Sequence, residues 1–398
     1  MHVLIAGGGI AGSVTAMALQ RAGIEATIFE SHPRTDVDVG SYFTVSPNGL
    51  DALDAIGALG LVKPHGVPTR QNILLDTNGR QLGTAGLGTP LPDGTIAQTM
   101  KRATLTRVLL DEAIRRGIRV EFGRRLVGAG ADASGAVTAT FDDGSRKSGD
   151  LLVGADGIHS AVRGIIDPSA PSGRFVGLTN FGGVTRGANL DIESDAWHMI
   201  FGRRAFFGYI AGSNRDVVWF VNWPRDPIER DERTSTSNAA WKEQLTELLR
   251  DDRGPAIDLI RAGELELAAD NTYDLGHVPV WYRGPIVIIG DAAHAPSPTS
   301  GQGASMAAED GVILAKALRD LPSIPHALAA YEKERRPRVE KIVAFGARGS
   351  SAKVPGGVGR VARDALLRLV FRFLVTERSM AWQFGHRVEW DRRLAAAP

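Results

Sequence analysis

Ile286-Val-Ile-Ile-Gly-Asp-Ala-Ala-His-Ala-Pro-Ser-Pro-Thr-Ser-Gly-Gln-Gly-Ala-Ser-Met-Ala-Ala-Glu-Asp310 decides how this chain is read. It opens as a short apolar run rich in β-branched residues, which suits a buried strand of a parallel sheet, and it stops abruptly at Gly290-Asp291. A loop with Pro296 and Pro298 follows, then the Gly301-Gln302-Gly303 turn, then Ala304 to Leu318, whose Ala, Leu and Met content is that of a helix. Ligands of such sheets sit beyond the carboxyl ends of the strands, and a glycine turn entering a helix offers free backbone N–H groups to an anion. In that setting Asp291 accepts hydrogen bonds from sugar-like hydroxyls while the helix dipole faces negative charge. Spacing alone equally allows a plainer reading, in which Asp291 caps a turn and the glycines only close a strand-to-helix connection.

Working outward, the N-terminus carries a second strand, turn and helix. His2 to Ala6 predicts a strand, Gly7 to Gly12 a glycine turn, and Ile10 to Arg21 a helix ended by Gly23, with a further strand from Ile24 to Phe29. Gly7, Gly9 and Gly12 fit G-x-G-x-x-G, and Glu30 stands where a carboxylate bonds the hydroxyls of an adenosine ribose. An acid there requires a free 2′-hydroxyl, which selects FAD or NAD over NADP. Between the two blocks, Asp150-Leu-Leu-Val-Gly-Ala-Asp-Gly-Ile-His-Ser-Ala-Val-Arg163 again ends a buried strand on an acid, Asp156. Taken alone it reads as an N-capped turn whose Arg163 forms a surface ion pair. Arg102 opens the helix Arg102 to Ala113, where a cation opposes the helix dipole, so either an anion lies nearby or the side chain points to solvent.

These blocks together resemble the single-component flavoprotein aromatic hydroxylases, the para-hydroxybenzoate hydroxylase-like group. The resemblance rests on Gly290-Asp291 with His294, Pro298, Gly301-Gln302-Gly303 and Glu309-Asp310, on Asp156-Gly157 through Arg163, on Gly7 to Gly12, and on the Arg102 and Tyr331-to-Arg338 helices. It implies noncovalent FAD held by Gly7, Gly9, Ile10, Ala11, Gly12, Glu30, Arg102, Asp156, Asp291, Pro298, Gly301, Gln302, Gly303 and Ala304. Asp291 would hold the ribityl chain, the glycine turn would lie against the flavin pyrimidine, and Pro298 would sit in the catalytic loop at the flavin. Asp156 and Arg163 would buttress the pyrophosphate and the path of the nicotinamide donor. Where many members carry glycine before the last Gly-Gln-Gly, this chain has Ser300.

The resemblance further implies NADH or NADPH as electron donor and a flavin C4a-hydroperoxide that inserts one oxygen atom of O2 into an aromatic or polyketide-like small molecule. The cofactor supplies that chemistry, and the protein supplies orientation and a dry cavity. Hydroxylation, Baeyer–Villiger insertion and epoxidation all use this oxidant. An FAD-dependent dehydrogenase or reductase, or a noncatalytic flavin-binding redox protein, would share the same motifs. A flavin halogenase shares the fold, but its W-x-W-x-I motif is missing from all seven tryptophans.

The expected fold class is α/β: a Rossmann-like FAD-binding domain with an inserted antiparallel β-sheet substrate domain and C-terminal helices. The expected boundaries are 1–71, 97–172 and 278–345 for the first, 72–96 and 173–277 for the second, and 346–398 for the C-terminal segment. Within this frame, Ser46 to Leu61 predicts one amphipathic helix and Ile73 to Asp93 hairpins turned at Asn78-Gly79 and Asp93-Gly94. Arg174 to Pro224 predicts aromatic-bearing antiparallel strands, Arg225 to Asn238 a loop, Ala239 to Arg250 a helix, and Gly276 to Trp281 a strand. Gly356, Gly357 and Gly359 mark a break before Arg360 to Val375, a basic amphipathic segment read as a lid over the substrate pocket rather than a membrane-surface helix.

Composition narrows the remaining classes. With 398 residues, 43% of them hydrophobic, the chain can bury a large core. Lys plus Arg number 46 against 45 acids, so no global field favours nucleic acid. There are no cysteines, which excludes disulfides and thiolate metal sites. The nine histidines show no H-x-x-x-H metal spacing, and no G-x-S-x-G elbow supports a hydrolase. His294 is expected to be structural and to bond backbone. The start lacks a leader and the chain lacks a membrane-length apolar span, so the expectation is a cytoplasmic monomer or homodimer without stable membrane anchoring.

Overall fold

Val3, Leu4 and Ile5 are all fully buried, so His2–Ala6 is covered on both faces, as a central parallel strand must be. The computed structural model describes residues 1–34, 40–188, 190–351 and 357–394. His2–Ala6 sits between Glu25–Glu30 and Leu151–Gly154 in a six-stranded sheet. The order is Tyr282–Arg283, Ile286–Ile288, Leu151–Gly154, His2–Ala6, Glu25–Glu30, Arg119–Phe122, parallel except for the Tyr282–Arg283 hairpin. One face carries the helices Ile10–Arg21 and Gly303–Asp320, which touch so closely that a Cβ on Gly311 would lie 2.7 Å from the Thr15 hydroxyl. An antiparallel meander, Leu126–Ala131, Val137–Phe141 and Arg146–Gly149, covers the other face, with Phe141 against Phe29 at 4.6 Å between ring centroids.

The second large sheet has seven strands in the order Glu264–Asp274, Arg174–Thr185, Val217–Pro224, Phe206–Ala211, Ala196–Phe201, Gln71–Asp76, Gln81–Gly86. Its pairs are antiparallel except Ala196–Phe201 with Gln71–Asp76, which run parallel. Alternation sorts its aromatics. Phe181, Phe207 and Trp219 face a core formed with Trp241 and Leu245 of Asn238–Leu248 and Leu259 and Ile260 of Ala256–Ala262. Trp197, Val184 and Val218 face the other way, against Tyr42 and Val67. Trp197 Nε1 donates to Thr44 and Thr99, at 3.1 Å each, in the small sheet Tyr42–Val45, Gln98–Lys101, Val67–Pro68 that joins the two large ones. In Glu264–Asp274 a register shift coincides with Ala269 at φ 54°, a left-handed conformation that costs a residue with a Cβ about 1–2 kcal/mol.

Several expectations are corrected. Ser46 to Leu61 is two helices, Pro47–Ala55 and Leu59–Val62, because Gly57 takes φ 65° and ends the first. The expected loop Arg225 to Asn238 contains a short helix, Arg230–Ser235, with Asp231 and Glu232 in its first turn. Gly276 to Trp281 is irregular apart from its neighbour Leu275, which bridges Ala295; Pro279 offers no N–H for a ladder. Asn78-Gly79 turns a true hairpin, whereas Asp93-Gly94 makes an isolated turn closed by Leu91 and Thr95.

The C-terminal region is helical: Ile324–Ser351 with Pro337 inside it, Gly357–Phe373, and Glu377–Phe384. Gly356 lies outside the described residues. Gly357–Phe373 packs on the edge of the seven-stranded sheet, where a Cβ on Gly83 would overlap Phe371 and the Arg363 guanidinium lies over the Phe201 ring at 5.2 Å. Its far side leaves Leu366, Leu369 and Phe373 exposed. No described helix is long and apolar enough to cross a membrane.

Candidate active site

Parallel register brings three chemical blocks to one edge. Ala6 pairs with Gly154 and Gly154 with Ile288, so three strands end side by side and release Gly7, Asp156 and Asp291 at the same carboxyl edge. Gly7 (φ 106°) and Gly12 make the turn tight: a Cβ on Gly7 would overlap the Ala155 carbonyl, and one on Gly12 would overlap the Gly7 carbonyl. Gly9 differs, since a Cβ there would meet no atom within 4 Å. It precedes Ile10–Arg21 without a side-chain cap, so the first-turn N–H groups around Ile10 and Ala11 face outward with the positive end of the helix dipole.

Glu30 closes this turn. Its carboxylate accepts from Gly8 N at 2.7 Å and His32 N at 2.9 Å. Burial pushes its pKa up, but these bonds outweigh burial and hold the carboxyl below its usual value. Asp156 caps Ala161–Ile166, accepting from Ser160 Oγ at 2.5 Å and from the N–H groups of Ala161 and Val162. Burial raises its pKa despite those bonds. Arg163 is no surface ion pair: it is 5% exposed and donates to the carbonyls of Ala292, Ile158 and Pro171. It therefore ties the Asp156 block to the Asp291 loop.

Asp291, partly exposed, stands at the start of the helix Gly303–Asp320: a Cβ on Gly303 would lie 3.9 Å from its Oδ1. The Arg102 guanidinium is 3.8 Å from Asp291 Oδ2 and largely exposed, so the anion near Arg102 within the protein is this carboxylate. Pro298 and Gly301 are exposed beside them, and a Cβ on Gly301 (φ 61°) would meet nothing within 4 Å. Gln302 is turned the other way. It is fully buried, with Nε2 on Ser46 Oγ and Oε1 accepting from Asn48 Nδ2, so it fixes the glycine turn from behind.

Behind the turn lies a network that the sequence reading did not identify as a network. Asp310, fully buried, accepts from Gly290 N at 2.8 Å, His294 Nε2 at 2.6 Å and Arg335 Nε at 2.7 Å. His294 is structural as expected, but its partner is this carboxylate rather than backbone. Glu309 pairs with Arg335 and Arg338, and Asn48 donates to it at 2.6 Å. Burial opposes both charges, yet the cations and His294 hold both carboxyls below their usual values. The available signal was two adjacent acids in an otherwise apolar helix, followed by a run of arginines.

Residues 1–346 match the family described as FAD binding domain. The chain belongs to this family of flavoprotein monooxygenases. Among its relatives, a FAD-dependent urate hydroxylase of Klebsiella pneumoniae is 30% identical over 353 residues, covering 86% of this chain and 88% of that protein. The aurachin C monooxygenase/isomerase of Stigmatella aurantiaca is 29% identical over 386 residues, covering 93% and 94%. Klebsiella pneumoniae HpxO complexed with FAD and uric acid superposes with TM-score 0.82 at 26% identity, covering 96% of this chain and 97% of that one. The monooxygenase uses FAD, and its residues fit that group: open space at Gly9 and Gly301, an uncapped helix start right after Gly9, and a partly exposed carboxylate at Asp291. Among the described residues no cluster could hold a metal ion.

Proposed function

We propose that the monooxygenase binds FAD along this edge and oxidises a small aromatic compound lying between the cofactor and the seven-stranded sheet, with NADH or NADPH as reductant. The observation that carries this reading is the convergence of Gly7, Asp156 and Asp291 at one sheet edge with room left at Gly9. Gly7, Gly9, Ile10, Ala11 and Gly12 take the pyrophosphate on backbone N–H groups, and Glu30 takes the ribose. Asp291 holds the ribityl hydroxyls. Arg102 and Asp156 flank the phosphates. The backbone of Gly301, Gln302, Gly303 and Ala304, with Pro298, shapes the surface against the ring. Bound FAD supplies the oxygen chemistry; these residues orient it and set positive potential beside it.

On this reading residues 1–71, 97–172 and 278–345 form the cofactor domain, 72–96 and 173–277 the substrate domain, and the C-terminal helices border the substrate space. The urate hydroxylase likeness favours a compact ring that carries heteroatoms. The purified protein should be yellow, oxidise NAD(P)H slowly, and accelerate many-fold with the right aromatic compound. Under isotopic dioxygen, one labelled atom should appear in the product. Acceleration without mass gain would replace the monooxygenase reading by a dehydrogenase or an uncoupled reaction.

A further inference from the structure

Across the seven-stranded sheet three polar side chains stand in one row. Asp270 lies opposite Asn180, Asn180 opposite Asn222, and Asn222 opposite Phe206, on four adjacent strands. Directly opposed residues of antiparallel strands project from the same face. The face is fixed by Phe220, two residues before Asn222, whose ring contacts Trp197 and Phe206. Trp197 bonds the small joining sheet, so the row looks toward the cofactor half. Burial raises the pKa of the Asp270 carboxyl, and the Arg233 and Arg102 charges oppose that rise.

The backbone is bent to put Asp270 there. Gly182 pairs with Leu267 and Asn180 with Asp270, so Glu264–Asp274 carries one residue more than its partner over this interval. Without the extra residue Ala269 would oppose Asn180, and Asp270 would turn to the face covered by helices, where Ala269 now lies buried. The bulge is made with an alanine at φ 54°, and a strained position of this kind clusters with function. One member of the row is unsatisfied: Asn180 Oδ1 is buried without a hydrogen-bond partner, while Asp270 beside it is only partly buried. Buried polar groups left unpaired in a native protein call for an explanation, and a ligand is one.

We propose that Asp270, Asn180 and Asn222 read a continuous polar edge of the substrate, and that the substrate presents an N–H or O–H donor to Asp270. A carboxylate only accepts, whereas each amide both donates and accepts, so the edge that fits is donor first, followed by carbonyl or amide groups. Phe206 and Phe220 contact the apolar part of the ring. This names the substrate class of the proposed function and rests on it: planar lactam-like or hydroxylated heteroaromatics fit, and rings without a donor do not.

The test is binding to the FAD-loaded protein, without NAD(P)H and without oxygen, followed by the absorbance of the flavin. Probes are urate against tetramethylurate and 4-quinolone against N-methyl-4-quinolone. At least one N–H ring should bind about tenfold or more tightly than its methylated partner. Asp270→Ala should abolish that preference with FAD content unchanged. Asn222→Leu should weaken the N–H ring in the same direction, and it serves as the readout if Asp270→Ala fails to fold. Equal binding within both pairs, no binding by any probe, or a preference that survives in the variants would overturn the proposal. None of these outcomes touches the monooxygenase reading, which stands or falls on isotopic oxygen in the product.

Discussion

Gly9 and Gly12 sit three residues apart in one turn, yet a methyl group at each meets different surroundings. At Gly12 it overlaps the Gly7 carbonyl; at Gly9 it meets nothing within 4 Å. Gly9→Val should therefore leave the melting temperature of the FAD-free protein unchanged and lose FAD, because on the proposed reading the pyrophosphate takes that space. Gly12→Ala should fail to fold. A Gly9→Val protein with normal flavin content would contradict the assigned pyrophosphate position. Asp291→Ala should weaken FAD by about 1–3 kcal/mol, roughly five- to 150-fold in affinity, since on the proposed reading it leaves buried hydroxyls unpaired; flavin titration of the apoprotein reads this directly. Gly7 and Gly12 were legible as turn residues because backbone geometry dictates their letters. Arg163 was not, since an arginine two turns past an aspartate reads the same whether it lies on the surface or is itself buried and donates to three backbone carbonyls.

The helix Gly303–Asp320 illustrates how much an element can hide. Its helical content was plain from Ala304 to Leu318, but nothing near Glu309 and Asp310 in the sequence ties them to Arg335, Arg338 and His294, which close around them. Long-range partners leave no local trace. Arg335→Met should destabilise the protein by about 3–5 kcal/mol in denaturant titration, because two buried carboxylates lose a shared cation. His386, beside this cluster, is pushed down to about 4: burial leads, Arg335, Arg338 and Arg387 add to it, and Glu309 opposes. Its folded value is depressed below that of the unfolded chain, so its neutral form stabilises the fold above pH ~6.5, and that contribution is lost as pH falls toward the folded value. The loss by pH 5 is about 2 kcal/mol at 1.36 kcal/mol per unit. Glu309 and Asp310, also depressed, lose theirs only below the ordinary carboxylate range. His386→Gln should shrink the drop in melting temperature between pH 7 and pH 5, and an unchanged drop would refute this assignment. The helix expected from Ser46 to Leu61 failed for a local reason, the left-handed Gly57.

At the scale of the molecule, the two-sheet plan was readable from the change of texture near Arg174, where long helices give way to aromatic strands. The parallel pair Ala196–Phe201 with Gln71–Asp76 was not, because no sequence signal marks which strand a hairpin will join. The helix Gly357–Phe373 packs on the edge strand of the seven-stranded sheet, and Gly83 is a point where it seats there. Gly83→Val should lift it, seen as faster proteolysis within residues 357–394 and more peroxide released per NAD(P)H oxidised; an unaltered digestion pattern would show that the helix is held elsewhere. The pairing of Ala6, Gly154 and Ile288 carries a consequence for synthesis. A nascent chain can join His2–Ala6 to Glu25–Glu30 early, but that central strand keeps one bare edge until Leu151–Gly154 emerges, and Asp291 is added later still. Pairings this distant form slowly and expose sticky intermediates. On the proposed reading the flavin can join only after Asp291 has been made, so the cofactor arrives at a chain whose central sheet has already had to wait for its distant strands.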